Sequence, residues 1–395
     1  MAITVYIVAF LVALAITYVI TPIVSKLAIK IGAIDKPDAR KVHHGVIPRL
    51  GGLAICIGYM ASVLWNVPHT HSLFGLLLGS TILVIVGIWD DVKQIDPKTK
   101  LMGQIIAAAV LVAYGIRVDF LAIPWGGMLY LEYWSVPLTI FWIVGFTNIV
   151  NLIDGLDGLA AGISFIACIA IGIVTFQMGQ YELTCITLAL AGSACGFLRY
   201  NFNPAKIFMG DTGSMLLGYT LAAISVMGAV KTAAVAALVV PVIVLGLPIL
   251  DTLFAIIRRK ISGRPIFKPD KSHVHHRLLA QGLTQKQTVL LMYVITALLA
   301  SVAVVTAEVN AIVGTILVIL FIVVAVIVAR RIGVISRTDA ADNPLDTKGQ
   351  PIINVPATPN LLKPNEFELT RPLHTMDDID VLDKQIDSEQ NNTHL

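Results

Sequence analysis

The stretch Asn148 to Gly162, NIVNLIDGLDGLAAG, sets two asparagines and two aspartates three residues apart in apolar surroundings. A carboxylate at the centre of a bilayer costs about 2.5 to 3.5 kcal/mol on insertion scales, so acids kept in such a place are expected to serve a site. Whether they stand inside a helix or at its end decides how the rest of the chain is organised. On one continuous helix Asn148, Asn151, Asp154 and Asp157 form a slowly drifting stripe. Gly155 and Gly158 make a break in the helix equally consistent with the pattern.

The whole chain sets the context. Of its 395 residues 56% are hydrophobic and 13% are charged, with a mean hydropathy of +0.82, against about 25% charged residues in soluble domains. This composition excludes a soluble globular domain. Runs such as Ile3 to Ser25, Leu73 to Trp89 and Ala311 to Ala329 are long enough to cross the hydrocarbon as helices. The first run is too long for a signal-peptide core and lacks a basic leader, so it reads as the first span. The four cysteines, Cys56, Cys168, Cys185 and Cys195, lie in apolar stretches without metal-like spacing and read as packing residues.

Hydropathy places about eleven spans, at 2 to 24, 49 to 66, 73 to 89, 101 to 118, 134 to 150, 158 to 177, 182 to 198, 213 to 230, 233 to 257, 287 to 306 and 311 to 329. The connections 25 to 48, 90 to 100, 151 to 157, 199 to 212 and 258 to 286 hold about nineteen Lys and Arg, counting Arg49 at the mouth of the second span. The alternate connections hold about two, Lys231 and, at the end of the fourth span, Arg117. The positive-inside rule assigns the first set to the cytoplasm. The expected fold is therefore an all-α polytopic membrane protein, amino terminus outside and carboxyl terminus cytoplasmic. A transmembrane domain fills residues 1 to 335, and a polar, disordered cytoplasmic tail fills 336 to 395. Within the tail Met376 to Ser388 has weak amphipathic spacing, and a solvated tail is the better reading. The Pro and Gly-Gly of residues 119 to 133 mark an external hairpin or turn.

This parity gathers Asp35, Asp38, Asp90, Asp91, Asp96, Asp154, Asp157, Asp211, Asp270 and the HVHH stretch on one side. A polar site at the cytoplasmic ends of several helices explains that best. Asp251, inside the ninth span near Pro248, stands apart and reads as a satisfied structural carboxylate at a helix break.

Five clusters on that side can do chemistry. DKPDARKVHHGVIPRLGG, Asp35 to Gly52, is a basic loop ending in a Gly pair; it serves topology and anionic lipid, or folds as an anion-binding loop. In WDDVKQIDPKTK, Trp89 to Lys100, the adjacent carboxylates point about 100° apart on a helix, so Asp90 and Asp91 face different partners. Position 94 is Gln, so the DDxxD of a prenyl-diphosphate transferase is missing. The opening stretch offers carboxylate and amide oxygens, which magnesium accepts alongside waters and phosphates; helix-packing glycines with capping Asn and Asp are the plainer alternative. In RYNFNPAKIFMGDTGS, Arg199 to Ser214, Asp211 precedes a span among glycines that let backbone approach a ligand. Phe208 is placed to stack on a base or to sit at the membrane interface. Finally RRKISGRPIFKPDKSHVHHRLL, Arg258 to Leu279, is the densest cationic patch. No Cys or Glu stands at a zinc-like helical spacing there, and the excess of donors suits phosphate.

In this order, the clusters resemble the polyprenyl-phosphate N-acetylhexosamine-1-phosphate transferases, the family of MraY and of the WecA/TagO branch. The resemblance rests on Asp90-Asp91, the NxxNxxDGxDGLxxG run, NFNPAKIFMGDTGS and the His-rich segment, and covers residues 5 to 330. It implies a magnesium ion on Asp211 and Asn151, and a catalytic group of Asp90, Asp91 and Asp211. The Asp90-Asp91 pair would meet the lipid phosphate, with Lys100 as its cation. Asp157, Asn201 and Phe208 would hold or stack on uracil, and His275, His276 and Arg277, with His273 nearby, would grip a diphosphate. Three successive histidines mark the branch that uses UDP-MurNAc-pentapeptide. Here the run is His-Val-His-His-Arg, which resembles the WecA/TagO branch and its donor UDP-GlcNAc.

The implied reaction transfers GlcNAc-1-phosphate to undecaprenyl phosphate at the plasma membrane, with wall teichoic acid the favoured pathway. The implied partners are the two substrates and membrane lipid, not nucleic acid; a homodimer is compatible with them. A phosphate monoester has a second pKa near 6, so at neutral pH the nucleophile is already largely ionised. Asp90 is then expected to position the lipid phosphate more than to act as a base. An ion-coupled transporter is the rival class, because many spans with intramembrane acids suit it too, although such sites sit near the midplane with repeat symmetry, and no repeat is visible.

Overall fold

The structure, a computed structural model, describes residues 3–35, 46–122, 127–232, 235–261 and 273–308, with single helical positions at Val313, Ile316, Leu320 and Val323. All of these belong to the first of the chain's two units, Met1–Ser336. The second unit, which holds the expected tail and its amphipathic stretch, lies outside the described residues, as do Asp38, Asp270 and most of the eleventh expected span.

The described chain is helical. In order come α1 (Ile3–Ile31), α2 (Gly51–Asn66), α3 (His71–Lys93), α4 (Pro97–Ala113), α5 (Ser135–Ile153), α6 (Leu159–Gln177), α7 (Tyr181–Asn201), α8 (Gly210–Thr232), α9 (Val235–Val244), α10 (Gly246–Ile261), α11 (Val274–Ala280) and α12 (Gln285–Glu308). Two short antiparallel pairs complete it: β1 (Ile34–Asp35) with β2 (Ile47–Pro48), and β3 (Phe120–Ala122) with β4 (Met128–Tyr130). The second pair is the hairpin expected between residues 119 and 133.

Among the described residues seven helices are long and apolar enough to cross a membrane, or eight if the bent pair is one span, and α2 is a shorter apolar helix. The count of eleven is therefore not reached on length and composition, although each of the first ten expected spans corresponds to a helix or, for the ninth, to a pair. That span, 233 to 257, is broken, as the reading of Asp251 at a helix break implied: α9 and α10 meet at a 75° bend. Pro241, Gly246 and Pro248 cluster there, and proline removes a ladder donor and clashes with the preceding turn.

Small residues set the packing. Ala9, Ala13, Thr17, Thr21 and Ala28 line the buried face of α1 at roughly four-residue intervals. That face meets α7, where a side chain at Gly192 or Gly196 would strike the carbonyls of Phe10 and Leu14. Such small-xxx-small seams let helices approach closely, where dispersion and hydrogen bonds drive association. Ser62 of α2 donates to the Ala9 carbonyl at 2.6 Å, so the buried hydroxyl is satisfied across the neighbouring contact of α1 with α2. The innermost helix is α8, in contact with α2, α3, α5, α7 and α9. Its first turn carries Asp211, so the most constrained helix presents the candidate metal ligand.

Candidate active site

The ends of α3, α5 and α7 and the starts of α2, α4, α6 and α8 converge, and one cavity of ≈ 900 Å³ opens among them, within the range of about 300–1,000 Å³ usual for small-molecule sites. It is lined by Lys100, Asn151, Asp154, Asp157, Asn201, Phe208, Asp211 and His276 among others. The opening stretch is thus a helix end and not a continuous stripe: α5 stops at Ile153, and α6 starts after Gly158 in the left-handed region, φ +80°.

The adjacent aspartates do face different partners. The Asp90 carboxylate closes its own helix end, with Oδ1 accepting from the Ile95 amide at 2.9 Å and Oδ2 lying 2.9 Å from Lys100 Nζ. Asp91 points into α8. Its Oδ1 accepts from the Asp211 amide at 2.9 Å, and Oδ2 accepts from the Thr212 amide at 3.1 Å and the Thr212 hydroxyl at 2.6 Å. A carboxylate from α3 therefore does for α8 what a capping side chain does within one helix, satisfying amides that have no intrahelical partner. Gly210 makes this approach feasible, because a side chain there would collide with the Asp91 carboxylate and its φ is +71°. Asp91 holds the frame and also meets Arg49, and Asp90 is the member of the pair that reaches Lys100.

Asp211 is the hub. Its Oδ2 lies 2.7 Å from Lys100 Nζ and 3.5 Å from the Asn151 amide nitrogen, while Oδ1 lies 3.1 Å from Arg49 NH2. Ser214 fixes Asn151 by donating to its Oδ1 at 2.7 Å. Arg49 also reaches Asp91 at 3.2 Å and Asp90 at 3.9 Å, so one guanidinium touches all three acids. Burial alone would lower its pKa, yet the carboxylates of Asp91, Asp211 and Asp90 outweigh burial and raise it. Backbone holds it in place: Arg49 bridges Phe208 in parallel register, and Phe208 N–H donates to the Pro48 carbonyl at 2.8 Å.

The loop after α5 is tied to the end of α7. Asn201 is buried, its Oδ1 accepting from the Gly158 amide at 3.1 Å and its Nδ2 donating to the Ile207 carbonyl at 3.0 Å. Asp157 Oδ2 accepts from Asn203 Nδ2 and the Ala205 amide, each at 3.0 Å. Both line the cavity, but these atoms are engaged by the protein itself, so Asn201 shapes the wall more than it offers free donors. Asp154 has its pKa pushed up to about 7, first by burial and then by Asp211, with Asp91 and Asp157 adding and Arg49 opposing.

The histidine segment is less uniformly cationic than its composition suggests. His276 lines the cavity. His275 is buried behind Gly155, its Nδ1 without a hydrogen-bond partner. Burial, then His276, lowers its pKa to about 4, so it is neutral at physiological pH. His273 Nδ1 lies 2.9 Å from Asp251 Oδ2. Arg277 sits one turn along α11 and is not among the residues lining the cavity.

These groups can hold a divalent metal. Ligand atoms of Asp90, Asp91 and Asp211 lie within 4.8 Å of one another. Both Asp91 oxygens accept from α8; Asp211 and Asn151 line the cavity, and Lys100 joins Asp211 Oδ2 to Asp90 Oδ2. An all-oxygen set suits magnesium, which keeps waters and substrate phosphates in its remaining positions.

Comparison with known proteins decides the lineage. The family model described as "Glycosyl transferase family 4" matches residues 73–229. A Bacillus subtilis protein named "Probable undecaprenyl-phosphate N-acetylglucosaminyl 1-phosphate transferase" is 44% identical over 291 residues, covering 73% of this chain and 81% of its own. The chain belongs to glycosyl transferase family 4, the MraY/WecA superfamily of polyprenyl-phosphate N-acetylhexosamine-1-phosphate transferases. A Mycobacterium leprae decaprenyl-phosphate N-acetylglucosaminephosphotransferase is 40% identical over 301 residues, covering 68% of this chain and 76% of its own. An Escherichia coli undecaprenyl-phosphate alpha-N-acetylglucosaminyl 1-phosphate transferase is 31% identical over 288 residues, covering 71% and 78%.

The family 4 match spans α3 to α8 and so contains Asp90, Asp91, Lys100, Asn151, Asp157, Asn201, Phe208 and Asp211; Arg49 and the histidine segment lie outside it. Sequence reasoning did not single out Arg49. A signal was there: it is the only Lys, Arg, Asp or Glu between Val46 and Asn66, immediately before the Gly pair.

Proposed function

We propose that this protein transfers GlcNAc-1-phosphate from UDP-GlcNAc to undecaprenyl phosphate, releasing UMP and forming undecaprenyl-diphospho-GlcNAc. The observation that carries this reading is the convergence of Asp211, Asn151, Lys100 and His276 at one cavity bounded by helix ends, with Asp90 paired to Lys100 behind them. It is supported by the relatives' names, which specify polyprenyl-phosphate acceptors and N-acetylglucosamine phosphate. The HVHHR segment favours UDP-GlcNAc over UDP-MurNAc-pentapeptide, and likeness to the TagO type favours wall teichoic acid as the pathway served.

An oxygen of the lipid phosphate attacks the β-phosphorus of the donor, the bond from that phosphorus to the bridging oxygen breaks, and UMP leaves with the electron pair. Phosphoryl transfer of this kind depends on positioning and charge neutralisation. Magnesium held by Asp211 and Asn151 would supply Lewis-acid neutralisation of the diphosphate. The chain does the rest. Asp91 fixes the start of α8 and so the aim of Asp211. Lys100, paired with Asp90 and Asp211, presents an ammonium to incoming phosphate. Arg49 offsets the charge of the three carboxylates, which would otherwise repel both substrates. His276 meets the donor from the far wall, and Phe208 offers a face for the uracil. The site opens to the cytoplasm in this reading, where nucleotide sugars are available.

The test is purified protein with undecaprenyl phosphate, magnesium and a panel of UDP-sugars, followed for UMP. UMP from UDP-GlcNAc, dependent on lipid and metal and lost in Asp211→Asn, is expected. UMP from UDP-MurNAc-pentapeptide instead would change the donor, and none from any donor would remove the activity.

A further inference from the structure

One buried acid takes no part in the site above. Asp251 lies on α10, just past the 75° bend, and is 6% exposed. Burying a carboxylate is unfavourable unless hydrogen bonds compensate it, so its partners say what it is for. Its Oδ2 lies 2.9 Å from His273 Nδ1, and its Oδ1 accepts from the Val274 amide at 3.0 Å. His273 is the residue before α11, and Val274 is its first. Both carboxylate oxygens therefore close on the start of one seven-residue helix, 22 and 23 positions downstream.

The start of that helix is buried, with Val274 and His275 both covered. α11 carries His275, packed behind Gly155, and His276, which lines the cavity. The rings of His273 and His275 are parallel within 2° with centroids 5.8 Å apart, and the centroid of His276 lies 4.3 Å from that of His275, so the three rings form one row. A carboxylate accepts only, so His273 Nδ1 carries the hydrogen toward Asp251.

We infer that Asp251 is a positioning residue: it clamps the start of α11 so that His276 stands at the right depth and angle to meet the donor's phosphates. It touches no substrate itself. The bend between α9 and α10 gains a purpose, since it carries an acid on α10 to the start of α11. The inference rests on the proposed reaction only for its kinetic consequence; the clamp is a statement about structure.

Two readouts on full-length protein separate the two. Hydrogen exchange across 274–280 is expected to rise at least tenfold in Asp251→Ala, with amides at the start of α8 unchanged. Kinetically, Asp251→Ala should raise KM for UDP-GlcNAc about tenfold and leave KM for undecaprenyl phosphate within twofold. His273→Ala removes half of the same clamp without disturbing α10, so it should show a smaller effect of the same kind, and the double variant should be no worse than Asp251→Ala alone. Asp251→Asn keeps an acceptor for the Val274 amide and should retain most protection of α11. Unchanged exchange at α11 in Asp251→Ala, additive losses in the double variant, or equal changes in both KM values would overturn the clamp. A wild-type protein without UMP release would instead sink the proposed reaction, leaving the exchange result to decide the clamp.

Discussion

The acid centre on α3 and α8 and the histidine segment on α11 meet the same cavity but manage charge in opposite ways. Three carboxylates at the first are answered by Arg49 and Lys100, and their oxygens have donors at 2.6 to 3.9 Å. The second, rich in basic residues, holds a neutral His275 with a partnerless Nδ1, and an acid from α10, Asp251, clamps His273. Charge density along a chain is therefore a poor guide to charge in a folded site. What matters is which groups are desolvated together and which are paired.

The largest effect is expected at the hub. Asp211→Asn keeps the shape but removes the charge shared by Lys100 and Arg49 and offered to the proposed metal, and UMP release should fall by at least about 10²–10³-fold, the scale for losing one well-placed electrostatic group. Next is Arg49→Gln, which leaves three carboxylates with Lys100 alone. Breaking a fully buried ion pair costs about 3–5 kcal/mol, and since the Arg49 side chain is 24% exposed we expect about 1–3 kcal/mol after screening. A lower denaturation midpoint in detergent, together with reduced turnover, would show it; an unchanged midpoint would mean that the carboxylates do not need this cation.

On the histidine side the effects should be smaller and divided. His276→Ala should raise KM for the donor about tenfold, of order one charge-assisted hydrogen bond. His275→Asn should do less to KM, because His275 sits behind the wall.

The pH dependence separates the two regions further. The folded pKa of His275, about 4, lies below its ordinary 6.5. The unfolded chain thus takes up a proton the folded one refuses, and the stability this residue contributes, complete above pH 6.5, is lost as pH falls toward 4. Asp154 runs the other way, with a folded pKa of about 7 against 3.8: stability is highest below 3.8 and declines as pH rises through 7. His275→Asn should flatten the acid side of a midpoint-against-pH curve, and Asp154→Asn should raise its alkaline side. Wild-type curves from both variants would contradict these assignments.

Much of this was legible in the sequence. The three-residue spacing of Asn and Asp with two glycines admitted a helix end, and α5 does stop at Ile153. Neighbouring carboxylates on a helix must diverge, and Asp90 and Asp91 do. Other features depend on distant contacts that no local pattern encodes. Asp91 became a cap for α8 because Gly210 lets it approach, 120 positions away. His275 became neutral because Gly155 leaves space for its ring. Arg49 looked like one more basic loop residue until the bridge to Phe208 placed it over three acids. The bend at Gly246 was hinted at only by flanking prolines, and its consequence for Asp251 required the placement of α11.

The most direct test of the account follows the phosphorus. With UDP-GlcNAc carrying ³²P at the β-phosphate, undecaprenyl phosphate and magnesium, the account predicts label in the lipid extract and unlabelled UMP in the aqueous phase, with no lipid label in Asp211→Asn. Label remaining in water-soluble UDP while GlcNAc enters the lipid would show that sugar alone is transferred, and would contradict it.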